Sequence, residues 1–508
     1  MSGSPIMSGS PFFTSAPALA RGWSRLTDRD SSSMTGTSHL SDRPRSTSLL
    51  TEPLSEEQEH ELLDQGSNTA LQQSGVGLTA ANIAAEVMGA GVLSLPHACA
   101  SLGWIVGVGS TIVFGACSIH AGLLLARTKT RLFPQAESYA DLAVLTVGRR
   151  FGLFTRVAVL AQWALLLPFF ALALVSSLRL ALPHLQLCFL QWALLAAAVL
   201  IAPLQLQTLH AISYASTLSN AAMGAATVLI LVAMCLSPAS SGDRGGGGAA
   251  PASPPPGNHS LWPPALAGGG RVDVAVLIEL GGSVCAFVFA YQGQSLYLEL
   301  MREMRAPQRF GRAVALSNCG MCAVYAATVA VGYGARGSSV AGFLPDALPP
   351  GAARVAVGAL LAFHVAVSFL VTGQPLHRAV HAACFPRDAA RRVRSHARPA
   401  SPLAWLAVTS SVLLLALFVA ALVPFFAEFQ KLLGALTGAP TLFGWPALFY
   451  VRGAQLRQVR VSRVECALCA AYVGLITPAL ATMGTLSAIA GIAARWGSEG
   501  SPLSSCHL

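Results

Sequence analysis

The strongest constraint on this chain is a succession of apolar runs that begins near residue 77 and continues to near residue 490. They fall at roughly 77–99, 103–126, 153–180, 189–209, 211–236, 272–297, 312–334, 352–374, 403–423, 426–450 and 463–490. A helix of about 20 residues, rising ~1.5 Å per residue, crosses the ~30 Å of bilayer hydrocarbon. It also satisfies its own backbone groups, which lipid cannot do. The spacing therefore predicts an all-α polytopic membrane protein with eleven transmembrane helices. Charged residues make up 11% and hydrophobic residues 54% of the chain, whereas a soluble domain carries roughly a quarter charged residues. The abundant Gly and Ala inside the runs suit helices that approach closely in lipid.

Basic residues fix an expected orientation. With the N-terminus in the cytoplasm, 25 of the 32 Lys and Arg fall in inside segments: the N-terminal tail, 127–156, 302–312, 378–398 and 452–463. Six fall outside, and Lys431 lies within a run. Such a bias supports a cytoplasmic N-terminus and an odd number of helices. It also accounts for the formal charge of +10 without a nucleic-acid partner, because the charges lie in short loops and not on one face. The partner implied is the lipid bilayer.

The segments outside the runs have their own character. Residues 1–75, rich in Ser, Thr and Pro, are expected to form a disordered cytoplasmic tail. An acidic patch from Glu56 to Asp64 ends in Leu62-Leu63, resembling an acidic dileucine sorting signal with imperfect spacing. No cleavable signal peptide is evident, because no apolar segment follows the start. Residues 237–271 form a low-complexity loop on the outer side. There Asn258-His259-Ser260 is an N-glycosylation sequon. A transmembrane domain then spans 76–490, and 491–508 is a short outer tail. Of the eleven Cys, most lie in or beside apolar runs and are read as small packing residues, with no disulfide framework or metal site.

Two runs are interrupted. The first contains Glu86, Gly89, Gly91 and Pro96, and the sixth contains Gly281, Gly282 and Gly293. Freed backbone groups at membrane depth are tolerated only inside protein or around a polar cavity, and secondary transporters bind substrates at such broken helices. Glu86 is an ionisable side chain within a span, where burial is costly and function is the default reading. The two runs lie five helices apart, which fits a five-plus-five inverted repeat with an eleventh helix appended. Glu279, near the outer end of the sixth run, is read as interfacial.

Gly89-Ala-Gly-Val-Leu-Ser-Leu-Pro96 resembles the first-helix signature of the amino acid/auxin permease family. Phe289-Ala-Tyr-Gln-Gly-Gln-Ser-Leu-Tyr-Leu-Glu299, with Met304-Arg-Ala-Pro-Gln-Arg-Phe310 after it, resembles that family's sixth-helix motif and following loop. Gln294 stands where the family often has His. Glu86 and the Leu95-to-Gly103 continuation look most similar to the fungal neutral and aromatic amino acid permease branch. The resemblance spans about 76–490. It implies secondary transport of amino acids by alternating access, usually with H⁺ and in some branches with Na⁺. By position it implies that Gly89, Ala90, Gly91 and Val92 form an unwound part of the first helix. Phe287, Phe289, Ala290 and Tyr291 would line the break in the sixth.

The chemistry agrees with that implication. An amino acid presents a carboxylate, suited to the N–H groups of a half-helix start, and an ammonium, suited to free carbonyls. Glu86 is the expected proton-coupling residue. The alternative ion site is Na⁺ held by first-helix carbonyls with Asn82, Ser368 and Thr372. Ser368 and Thr372 also suit back-bonding to their own helix, and His97 and His364 suit packing. Glu428 and Lys431 are read as a pair that either gates or neutralises. No cofactor is expected beyond the co-transported ion. An amino-acid sensor signalling through the tail is the competing class. An enzyme is excluded for want of HExxH, GxSxG or P-loop patterns, and a channel for want of a pore-loop signature. Plasma membrane and vacuole- or lysosome-like membranes both fit.

Overall fold

A computed structural model describes residues 74–206, 209–236, 257–267, 273–388 and 401–499. The acidic patch and most of the 237–271 loop lie outside them. Nine helices among the described residues are long and apolar enough to cross a membrane, and two shorter apolar ones accompany them. The longest, Ala90–Leu132, joins the second half of one crossing to the whole of the next: at Gly103 the backbone leaves helical geometry with φ +72° and ψ 171°. That left-handed φ suits glycine, and a β-carbon there would run into the carbonyl of Trp262.

The first crossing, α1, is split into α1a (Val76–Val87) and α1b (90–102), which opens with a 3-10 turn over Ala90–Ser94. Then follow α2 (104–132), α3 (Arg149–Ala181), α4 (Phe189–Ile201) and α5 (Leu209–Leu236). The sixth crossing is also split, into α6a (Val274–Ala290) and α6b (294–303). The remainder are α7 (Phe310–Arg336), α8 (Ala352–Cys384), α9 (Pro402–Leu422), α10 (Phe426–Leu456) and α11 (463–499). α8 and α11 outrun the apolar stretches that announce them. In α8 the added turns, with His377, Arg378 and His381, are helical but not apolar, so hydropathy stops before the helix does.

Pro96 does not cause the break in α1. It sits in the first turn of the helix starting at Leu95, where a missing N–H costs nothing. The interruption lies at Met88 (φ −80°, ψ 79°) and at Gly89, which is extended (φ −111°, ψ −158°).

α3 packs along α8, α2 along α7, and α6a along α11. α10 lies at the centre, with 72% of its apolar window buried, against 11% for α11 at the edge. The outer faces carry exposed apolar side chains such as Phe154, Leu194, Leu414, Phe418 and Leu475, the pattern of a lipid-facing surface. Cys188, at the start of α4, departs from the packing role expected of the cysteines: it is disulfide-bonded.

Candidate functional site

A cavity of about 190 Å³ lies between α1, α3, α6 and α8. Its floor is the pair of helix breaks: Glu86, Gly89, Ala90 and Gly91 from α1, and Phe289, Gln292, Gly293 and Ser295 from α6. It runs to the face that carries Ser138, Arg156, Arg302 and Arg378. Glu137, 60% exposed at the side chain, stands at the mouth, 3.9 Å from Arg302. This is the same face as the start of α1a, because Ser74 pairs by backbone hydrogen bonds with Glu303 and Arg305 at the end of α6b.

Toward the opposite face the cavity is roofed by aromatic rings. Phe169 of α3 meets Phe289 of α6a at 5.1 Å and Phe426 of α10 at 4.7 Å between centroids. Phe426 meets Phe343 of the α7–α8 loop at 5.0 Å. Such offset and edge contacts hold the rings beyond what their buried area alone contributes. Gly91 makes room for this roof: a β-carbon there would stand 2.8 Å from a ring carbon of Phe289.

The two breaks differ in what they offer. At the end of α6a the carbonyls are already occupied. Phe287, Val288 and Phe289 accept from the N–H groups of Tyr291 and Gln292. The Tyr325 hydroxyl donates to Ala290 at 2.8 Å, and the Gln294 amide donates to Tyr291 at 3.0 Å. At the end of α1a the carbonyls of Ala84 and Val87 accept from the N–H groups of Met88 and Gly89, and no further helical turn follows to take those of Ala85 and Glu86. There Glu86 lines the cavity and is exposed to solvent through the opening. Its carboxylate and the carbonyl end of α1a make one electronegative corner. Ala90, Gly91, Ser295 and Leu296, in the first turns of α1b and α6b, line the same space, where the positive ends of the two helix dipoles lie.

The residues singled out from sequence are divided by the fold. Gly89, Ala90, Gly91, Phe289 and Glu86 line the cavity together, with Thr372 on its α8 wall. Val92, Phe287, Ala290 and Tyr291 are buried behind the wall; the Tyr291 hydroxyl donates to the Thr111 carbonyl at 2.9 Å. The Ser368 hydroxyl donates to the carbonyl of His364, one turn back, at 2.9 Å. Among the described residues no hydrogen bond joins Asn82 to Ser368 or Thr372. His364 is buried and bonded to Ser219 of α5, and His97 contacts the carbonyl of Val340 at 3.1 Å. Lys431 pairs with Glu428 at 3.1 Å. Asn258 is exposed.

Sequence reasoning passed over three glutamines. Gln162 of α3 and Gln374 of α8 line the cavity, and the side-chain carbonyl oxygen of each is buried without a hydrogen-bond partner among the described residues. An unpaired buried acceptor costs stability, so each is a position where a bound donor is repaid. Pro375, beside Gln374 in the wall, has no N–H to give the Val371 carbonyl. The third glutamine, Gln430, is buried against both breaks.

The family pattern described as Transmembrane amino acid transporter protein matches residues 72–489. The chain belongs to this family. A similar relative is the Amino acid transporter AVT3A of Arabidopsis thaliana, 25% identical over 425 residues, covering 81% of this chain and 88% of the relative. Similar solved structures include a Na⁺-coupled sialic acid symporter (TM-score 0.44, 13% identity, 81% of this chain and 89% of that one). Another is a nucleobase–cation symport-1 family transporter (TM-score 0.46, 15% identity, 85% of this chain and 95% of that one). This protein is thus an integral membrane transporter of amino acids and not an enzyme, and its substrate is a small molecule.

Proposed function

We propose that the transporter moves neutral amino acids by alternating access, coupled to protons through Glu86, with the described cavity as its inward-open substrate site. The observation that carries this reading is the arrangement of charge at the breaks. The substrate ammonium sits between Glu86 and the carbonyl end of α1a, and the carboxylate sits at the N–H ends of α1b and α6b. Helix ends thus supply both halves of the recognition, and the only ionised side chain needed is one that can carry a proton. The wall beyond, with Trp163, Leu166, Phe170 and Val371, suits an uncharged side chain, and Gln162 and Gln374 offer acceptors.

The basic bias of the loops supports a cytoplasmic open face and N-terminus. Plasma and vacuole- or lysosome-like membranes remain the proposed locations. Glu86 then takes up a proton when the site faces the other side and releases it through the cytoplasmic opening. The experiment is uptake by Glu86→Gln in proteoliposomes. Glutamine keeps the size and hydrogen-bonding oxygen but cannot ionise. Exchange of labelled for unlabelled amino acid should continue, while accumulation against a gradient of substrate under an imposed pH gradient should fall by on the order of tenfold or more, the effect of losing one charge-dependent interaction. Unchanged pH-driven accumulation would remove Glu86 from the coupling role.

A further inference from the structure

We propose that Gln430 is the latch that keeps the cavity shut on the face opposite the N-terminus. The proposal rests on the transport reading in one respect, that α1b and α6a separate when that face opens. Gln430 lies in Phe426–Leu433, the opening segment of α10, and its side chain is wholly buried. Its amide nitrogen donates to the carbonyl of Gly91 at 2.8 Å and to that of Ala286 at 3.2 Å. Its carbonyl oxygen accepts from the Ser94 hydroxyl at 2.6 Å. Both amide hydrogens and the acceptor are therefore engaged, and one side chain joins α10, the unwound start of α1b and α6a.

The position of this link decides what it does. The Gly91 carbonyl belongs to the 3-10 turn at the break, and the Gln430 amide stands beside it as a partner from another helix. The same α10 segment supplies Phe426 to the aromatic roof. A single short element thus carries both a ring that covers the cavity and the amide that ties the cover to the two broken helices. These three bonds lie in a dry interior, where an unpaired polar group is expensive. Opening that face admits water, which can replace them. Removing the amide therefore penalises the closed arrangement alone and shifts the population toward the open one.

The test is sided labelling. In full-length protein whose exposed cysteines Cys235, Cys319, Cys384 and Cys466 are changed to Ser, a reporter is placed either at Ala427→Cys, buried next to Phe426 and against Gly342 of the α7–α8 loop, or at Val159→Cys on the cavity wall. A membrane-impermeant maleimide is applied to one face at a time. Gln430→Met is expected to raise labelling at position 427 from the face opposite the N-terminus about tenfold, the factor for one or two lost neutral hydrogen bonds. Labelling at position 159 from the N-terminal face should fall. Ser94→Ala, which removes one bond and spares the rest, should move both rates in the same directions by a smaller factor, about threefold on the same scale. Unchanged rates in either variant, or rates rising together at both reporters, overturn the latch. The labelling needs no substrate, so its outcome is independent of whether Glu86 carries a proton or which amino acid is moved.

Discussion

Glu86 and Gly91, five residues apart, illustrate how narrowly the site is set by single side chains. Glu86 shares its corner with the carbonyl end of α1a, so its charge acts where an ammonium would lie. Gly91 yields its side-chain volume to the ring of Phe289, which in turn leans on Phe169. Gly91→Ala should therefore displace the roof, lowering thermal stability in detergent by about 1–3 kcal/mol, the usual cost of overpacking, and slowing uptake. Gly89→Ala is the control, because the nearest atom to its β-carbon is His364 Nε2 at 3.9 Å, an ordinary contact. Equal damage from the two would contradict this assignment. Glu86, Gly89, Gly91 and Phe289 were all legible in the sequence, since a carboxylate and paired glycines inside an apolar run are anomalies visible locally. Gln430 was not: it meets Gly91 across 339 positions of sequence, and a glutamine near the start of a helix looks ordinary until its partners are known. Tyr291 fails in the opposite sense. It lies at the break by sequence, but its ring turns toward α2 and α7.

The interrupted elements show why one break is open and the other sealed. α6a ends against Tyr325 of α7 and Gln294 of its own second half, so its last carbonyls are spoken for. α1a ends against the cavity. Tyr325→Phe should leave the Ala290 carbonyl buried and unpaired, costing about 1–3 kcal/mol. The measurement is thermal unfolding of purified protein, and an unchanged midpoint would mean that water or another donor replaces the hydroxyl. The helices themselves were readable, because length and apolarity are local properties. Their pairing was not. Nor was the overrun of α8, where a polar helix continues past the apolar stretch because its residues pack on protein instead of lipid: His377 and His381 lie beside Trp405 of α9.

At the scale of the whole molecule, the basic loops, the backbone pairing of Ser74 beside α6b and the opening of the cavity all belong to one face. Exposed Asn258 belongs to the other, where it is held beside the end of α7 by backbone hydrogen bonds. Asn258→Gln should abolish a glycan-dependent mobility shift, and a shift that persists would place the glycan elsewhere. Deleting residues 1–70 should leave uptake intact, since the described cavity uses none of them; a deletion that instead abolishes binding of a cytoplasmic partner, in a chain that binds amino acids without moving them, would favour the sensor reading. The central claim is tested most directly by uptake of a panel of radiolabelled amino acids into proteoliposomes with an imposed pH gradient and no Na⁺. Neutral amino acids should accumulate with the gradient, and the accumulation should collapse when the gradient is dissipated. Accumulation that requires Na⁺ and ignores pH would contradict the claim.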